Sequence, residues 1–185
     1  PDKKKYFYIG YDKDMDILEG TDFIKTDNID EADFILCADL EEGFVDGMSL
    51  NLEANLAKAV TRGLDFLCAN PDIYIVKQSG GMQYCAGYIG RHYDELGGNV
   101  LYFGKPYSAG YEACMNIFDS PNKSQILAIG DNFHTDIKGA SNFGIDSLLV
   151  QVGVHRDVLA RPGGLHALTS EYKVHPTFHI YSFGD

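Results

Sequence analysis

Basic residues are scarce in this chain: 15 Lys and Arg stand against 27 Asp and Glu, a formal net charge of −12 over 185 residues. A general affinity for nucleic acid or for an anionic membrane needs clustered Lys and Arg. The one basic cluster, Lys3 to Lys5, is too short to supply it. Cysteine is also sparse. Cys37, Cys68, Cys85 and Cys114 are widely spaced inside apolar segments, so neither a Cys-x-x-Cys metal pair nor a disulfide framework is indicated. They read as reduced core residues of a cytoplasmic protein. No apolar run approaches the roughly 20 residues of a membrane span, and no basic-then-apolar leader precedes the first strand. The chain contains no internal repeat, no Gly-x-Gly-x-x-Gly fingerprint and no Walker A lysine. That counts against dinucleotide or nucleoside triphosphate binding through the usual loops.

A hydrophobic content of 45% gives the chain enough apolar surface for a real core, as one domain or two small ones. Tyr6 to Gly10 reads as a strand, followed by the acidic loop Asp12 to Asp16. Aspartates just after a strand are one way to place a nucleophile, but no glycine follows at the expected place, and Asp, Lys and Asp together are ordinary on a solvated loop. Glu31 to Ala38 predicts a second strand. Leu50 to Arg62 predicts a helix with Leu52, Leu56, Ala59 and Val60 on one face, Ser49 as its cap and Gly63 as its stop. Leu64 to Ala69 is a third strand ending in Asn70-Pro71-Asp72, where proline fixes a turn and the two polar side chains can project. Met82, Cys85, Ile89, His92 and Leu96 recur at helical spacing and predict a helix from Ser79 to Leu96, with His92 as a core histidine rather than a ligand.

The second half predicts a strand at Asn99 to Pro106, a helix from Ser108 to Phe118, a strand at Gln125 to Ile129 and another at Asp146 to Val152. That βαβαβ order implies a parallel sheet with right-handed crossovers, followed by a looser tail. Within the tail, His175 and His179 are four residues apart, but Pro176 favours an extended segment, so they should not share a face as a metal pair.

The chemistry concentrates in Gly130-Asp131-Asn132-Phe133-His134-Thr135-Asp136. An apolar strand ending in Gly-Asp places Asp131 beyond the carboxyl end of a parallel strand, where such sheets bind ligands. Thr135 is suited to capping the helix that follows, with Asp136 in its first turn. A lone Gly-Asp is ordinarily a turn; the added Thr-Asp between a strand and a helix points to a site. Gly104-Lys105-Pro106 ends the preceding strand, which would set Lys105 beside Asp131 at one sheet edge. A lysine and a metal-binding aspartate together suit a phosphate dianion.

Taken together, Gly104-Lys105-Pro106, Gly130-Asp131-Asn132, Thr135-Asp136-Ile137, Gly139-Ala140, Gly144-Ile145, Cys68-Ala69-Asn70-Pro71-Asp72 and Pro176-Thr177-Phe178 resemble the haloacid dehalogenase (HAD) superfamily, and within it the class IIA, NagD-like phosphatases. The resemblance spans essentially the whole chain. It implies an α/β fold, a HAD-like Rossmannoid parallel sheet with an α/β C2-type cap domain: residues 1–98 as the cap and 99–185 as the C-terminal half of the core. It further implies Lys105, Asp131 and Asp136 as catalytic residues, Asp131 as a Mg²⁺ ligand, Asn132 and Thr135 beside the substrate phosphate, and Asn70 and Asp72 in the cap region that selects substrate. The implied substrate is a small phosphorylated metabolite, a phosphate monoester hydrolysed through an aspartyl phosphate, with no nucleic acid or membrane partner.

One departure is large. The family's Asp-x-Asp-Gly nucleophile motif and the Thr or Ser motif that follows it are absent from these residues, and covalent phosphoryl transfer needs that nucleophile. The expectation is therefore a chain inactive alone that pairs with an N-terminal half of the core or associates as a homo-oligomer. The start at Pro1 leaves open that it is a piece of something longer. A rival expectation is a non-catalytic binding or assembly module. A receiver-like Rossmann domain shares the parallel sheet but does not explain the cap-like first half.

Overall fold

Phe34–Cys37 reads Phe-Ile-Leu-Cys and is buried at every position, as expected of a strand covered on both faces. It lies in the middle of the first of two compact units, Pro1–Phe103 and Gly104–Asp185. The structure is a computed structural model that describes residues 4–40, 44, 49–76 and 82–184.

The first unit contains β1 (Lys5–Ile9), β2 (Ile24–Thr26), β3 (Phe34–Cys37), α1 (Leu50–Arg62), β4 (Asp65–Cys68), β5 (Tyr74–Val76), β6 (Met82–Tyr84), α2 (Ala86–Glu95) and β7 (Asn99–Tyr102). A short 3-10 turn, Asp12–Leu18, occupies the acidic loop. Five strands form a parallel sheet in the order β2-β1-β3-β4-β7, and β5 and β6 make a separate antiparallel pair. α1 has the predicted ends: Ser49 Oγ accepts from Leu52 N at 3.2 Å, and Gly63 closes the helix in the left-handed region at φ 68°. Its inner face, Leu56 and Ala59, packs with Ile35, Cys37, Phe66, Cys68, Ile89 and Tyr93. Each large side chain fully buried in this way contributes about 1.5–3 kcal/mol. Tyr93 keeps its hydroxyl satisfied by donating to the Leu64 carbonyl at 2.8 Å. On the opposite face of the sheet, Tyr6, Phe34 and Leu36 form a second apolar layer.

The second unit contains α3 (Ser108–Ile117), β8 (Leu127–Gly130), α4 (Lys138–Phe143), β9 (Asp146–Val150), α5 (Arg156–Leu159), α6 (Gly164–Tyr172) and β10 (Phe178–Ile180). Its three strands are parallel, in the order β10-β9-β8. Phe133, Ile137, Leu149, Leu168 and Val174 make its core. Thr177 stitches β10 to β9: its Oγ1 accepts from Ser147 N at 3.1 Å, and its N donates to Ser147 Oγ at 3.2 Å.

Five expectations are corrected. The helix expected from Ser79 starts only at Ala86; Met82–Tyr84 is a strand because it pairs with Tyr74–Val76, and Cys85 then serves as the helix N-cap. The residues at 79–81 lie outside the described ones. The short strand β2 follows the acidic loop, a position where no strand is expected. β7 does not open the second unit's sheet. It pairs with β4 in register Asp65↔Asn99 to Cys68↔Tyr102, so Asn99–Tyr102 belongs to the first unit. A strand pattern shows that a segment is extended, not which sheet it joins. The tail is ordered as α5, α6 and β10, and His179 lies in a strand with its Nδ1 3.0 Å from Gln151 Nε2. Among the cysteines, Cys37, Cys68 and Cys85 are buried as expected, whereas Cys114 is exposed. Among the described residues, no helix is long and apolar enough to cross a membrane.

Candidate active site

β8 ends at Gly130, and the chain turns immediately through Asp131 and Asn132 into a wide, π-type turn over Phe133–Ile137 that continues as α4. Single wide turns of this kind at a helix start recur at functional sites. Asn132, not Thr135, caps the turn: its Oδ1 accepts from His134 N at 2.8 Å, while Thr135 is buried. The helix begins earlier than Thr135 suggests, because the wide turn supplies two residues before Thr135 and the Asn132 carbonyl accepts from both Asp136 N and Ile137 N.

Asp136 holds the arrangement from inside. Its carboxylate is 7% exposed at the residue level. Oδ2 accepts from Asp131 N and from Asn132 N, each at 3.1 Å, and Oδ1 accepts from Lys105 Nζ at 2.5 Å. A buried carboxylate is retained only when such donors replace its water shell. Gly130 is required for this approach, since a Cβ there would sit 2.1 Å from Asp136 Cγ. The hydrogen bond that Lys105 donates to Asp136 raises the Lys105 pKa above its ordinary value, so the ammonium stays charged.

Lys105 reaches the turn without being the end of a neighbouring strand in the same sheet, which corrects the expected route. Its segment lies on α4 at Gly139, where a Cβ would come 2.6 Å from Tyr111 Oη and 3.2 Å from Pro106 Cα. Asn142 Nδ2 donates to the Pro106 carbonyl at 3.4 Å. The closeness of Lys105 and Asp136 thus depends on a glycine in the helix, not on strand order.

Asp131 is steadied from the loop after β9. Its Oδ2 accepts from Val154 N at 2.7 Å, and a Cβ on Gly153 would sit 1.9 Å from that oxygen. His155 follows, with Nε2 accepting from Phe133 N at 3.3 Å. Burial lowers the His155 pKa from its ordinary value, which favours the neutral ring. Gly153, Val154 and His155 did not stand out in the sequence. Their only local signal is a glycine just beyond a strand; the contact with Asp131 is long-range.

The structure therefore brings together Lys105, Asp131, Asn132 and Asp136, with Thr135 buried beside them. Asn70 and Asp72 belong to the first unit. There Asn70 Oδ1 accepts from Asp72 N at 3.1 Å, so the Asn70 carboxamide is turned into its own loop. Among the described residues no cluster of three or more His, Cys, Asp or Glu side chains forms a metal site. Both Asp136 oxygens are engaged by donors, which leaves Asp131 as the one carboxylate of the turn suited to a cation. One carboxylate is compatible with Mg²⁺, which keeps several waters and takes substrate oxygens.

Residues 102–182 match the HAD-hydrolase-like family (Hydrolase_like). A curated relative, 5'-nucleotidase YutF of Bacillus subtilis, is 32% identical over 96 residues, covering 52% of this chain and 37% of the relative. A solved haloacid dehalogenase-like hydrolase from Brucella suis superposes with a TM-score of 0.70 at 35% identity, covering 83% of this chain and 60% of that one. Glycerol phosphate phosphatase Rv1692 from Mycobacterium tuberculosis, solved with magnesium, shares the fold at a TM-score of 0.69 and 19% identity over 98% of this chain and 51% of its own. The chain thus spans 37% of the length of this curated relative and 60% of that of the Brucella suis structure. The strand-turn-helix around Asp131 and Asp136 thus lies inside the segment that matches the HAD-hydrolase-like family, and the chain is similar to haloacid dehalogenase-like hydrolases.

Proposed function

We propose that this chain provides the charge-stabilising side of a phosphatase site for small phosphate monoesters. The observation that carries the reading is the single buried carboxylate of Asp136, which holds the Lys105 ammonium and the backbone of Asp131 and Asn132 in one arrangement. Phosphoryl transfer asks the protein mainly for positioning and for positive charge near the equatorial oxygens. In this reading Lys105, kept charged and aimed by Asp136, donates to a phosphoryl oxygen. Asn132 faces the same group from the turn, and Asp131, fixed by the Val154 amide, presents a carboxylate to a divalent cation. Such a cation, when bound, would supply Lewis-acid charge to the phosphoryl oxygens. Two of the similar proteins, a 5'-nucleotidase and a glycerol phosphate phosphatase solved with magnesium, support that substrate class and Mg²⁺.

Residues 1–185 carry no Asp-x-Asp-Gly motif, so in this reading the attacking carboxylate lies outside them, on a complementary N-terminal half of the core. The exposed apolar residues Leu127 and Ile129 of the edge strand β8 support a missing neighbour there. Residues 1–98 would act as the cap, with the loop at Asn70 and Asp72 contributing to substrate choice. The test joins the chain to an N-terminal segment bearing Asp-x-Asp-Gly and assays a panel of sugar, glycerol and nucleoside monophosphates with Mg²⁺. Hydrolysis that Lys105→Met reduces by about two orders of magnitude or more is expected from loss of an electrostatic contact in the transition state. Binding of phosphate without turnover would instead favour a non-catalytic binding module, and neither binding nor turnover would sink both.

A further inference from the structure

We infer that His155 is a positioning residue of this site: by accepting the Phe133 amide at an unprotonated Nε2, it fixes the turn that carries Asp131. The inference rests on the phosphatase reading for its purpose, and on hydrogen bonding and packing for its substance.

The first amides of a helix have no partner within the helix and must find acceptors elsewhere. Here the four consecutive amides from Asp131, before the cap, to His134, in the first turn, are taken by side chains. Asp131 N and Asn132 N donate to Asp136, Phe133 N donates to His155, and His134 N donates to Asn132. Three of these bonds come from within the turn itself. The Phe133 bond reaches across from the loop after β9, and it comes from the residue next to Val154, whose amide holds the Asp131 carboxylate. The loop therefore grips the turn at two points, one on the carboxylate and one on the backbone two residues later.

The ring is held as well as bonded. It lies edge-on to Phe133 with centroids 5.6 Å apart and edge-on to Tyr172 at the same separation, while Phe133 and Tyr172 stack at 5.9 Å. Phe133 is fully buried and belongs to the core of the second unit. The His155 carbonyl in turn accepts from Val158 N at 3.1 Å and Leu159 N at 2.9 Å, which starts α5. Acceptance at Nε2 places the proton of the neutral ring on Nδ1, a tautomer assigned from the bond geometry. A lysine or arginine here could not do this, having no acceptor. A phenylalanine could keep the packing but would leave the Phe133 amide unbonded.

Those two properties separate in the test. In the 185-residue chain, His155→Phe keeps the ring and removes the acceptor, whereas His155→Gln removes the ring and restores an acceptor oxygen. Hydrogen exchange at the Phe133 amide, with Leu149 and Leu168 amides as core references, is measured beside Mn²⁺ titration. His155→Phe is expected to speed Phe133 exchange about tenfold or more, the loss of one buried hydrogen bond, with the references unchanged and Mn²⁺ affinity reduced several-fold. His155→Gln should recover a substantial part of both. Unchanged Phe133 exchange in His155→Phe overturns the inference. So does acceleration shared equally by Leu149 and Leu168, or a Gln variant no better than Phe, since either would mean that the ring acts through packing alone. If the unsubstituted chain binds no Mn²⁺, the metal reading of Asp131 fails, and the exchange data still decide the role of His155.

Discussion

Ile35 and Cys37 on β3 are fully buried against two helices, and Phe34 and Leu36 on its other face are buried under a second apolar layer. On β8, the strand that delivers Asp131, Leu127 is 44% and Ile129 53% exposed. α3, which packs on α4, buries no residue, and Ile117 at its end and Phe118 at its C-cap are exposed. The first unit is thus specified by close apolar packing around the middle of a sheet. The second has a small core, and its best-determined point is polar: one carboxylate, one ammonium and a run of backbone amides. Order at a functional site need not come from a large core. It can come from a buried charge with both oxygens bonded, since leaving such a group unpartnered costs more than the bonds themselves contribute.

The contrast can be broken most forcefully on the apolar side. Phe66, fully buried in the first unit, should cost about 3–5 kcal/mol as Phe66→Ala, the usual range for removing a buried aromatic. Urea unfolding with exchange read at β3 and β4 would show it, and a loss below about 1 kcal/mol would mean that this core is not what holds the sheet. Next is Asp136→Ala. It leaves the Asp131 and Asn132 amides without their acceptor, and with Lys105 free to return to water the expected loss is about 2 kcal/mol in protection of β8 and the turn. If the same variant loosened α1 and β3 as much, the polar keystone would not be local to its unit.

The smallest effect is electrostatic. The Lys105 pKa is raised in the folded chain by its bond to Asp136. Its contribution to stability is therefore fully present below the ordinary lysine pKa and is lost as pH rises through the elevated folded value. Its side chain is 57% exposed, so the interaction is screened and the loss should be small. Stability against pH from neutral to strongly alkaline should fall slightly more for the unsubstituted chain than for Lys105→Met. Parallel curves would remove Lys105 from the stability account while leaving its role at the site open to the hydrolysis assay.

Much of this is legible in the sequence. Ser49, the apolar face of Leu52, Leu56, Ala59 and Val60, and Gly63 define α1 because caps and helical periodicity are local properties. The strand into Gly130-Asp131 also follows from residue type and order, and Lys105 was placed near this turn, though by a strand order that the structure does not have. Sequence reading failed where pairing is non-local. Met82 fits a helical pattern yet pairs with Val76, and β7 joins β4 rather than β8. Thr135 has the chemistry of a cap, but the turn is wider than an ordinary helix start and hands that place to Asn132.

The sequence by itself determined the elements whose signals lie within a few residues of each other: helix ends, the strand before Asp131, and a lysine and two aspartates suited to phosphate chemistry. The tertiary structure alone decided which sheet each strand enters, that Asp136 spends both oxygens holding the turn and Lys105, and that Gly153, Val154 and His155 return from beyond β9 to hold Asp131 and Phe133. Those contacts depend on the absence of a Cβ at Gly130, Gly139 and Gly153. Whether a missing side chain is a turn or a point of close approach is settled only by what arrives from elsewhere in the chain.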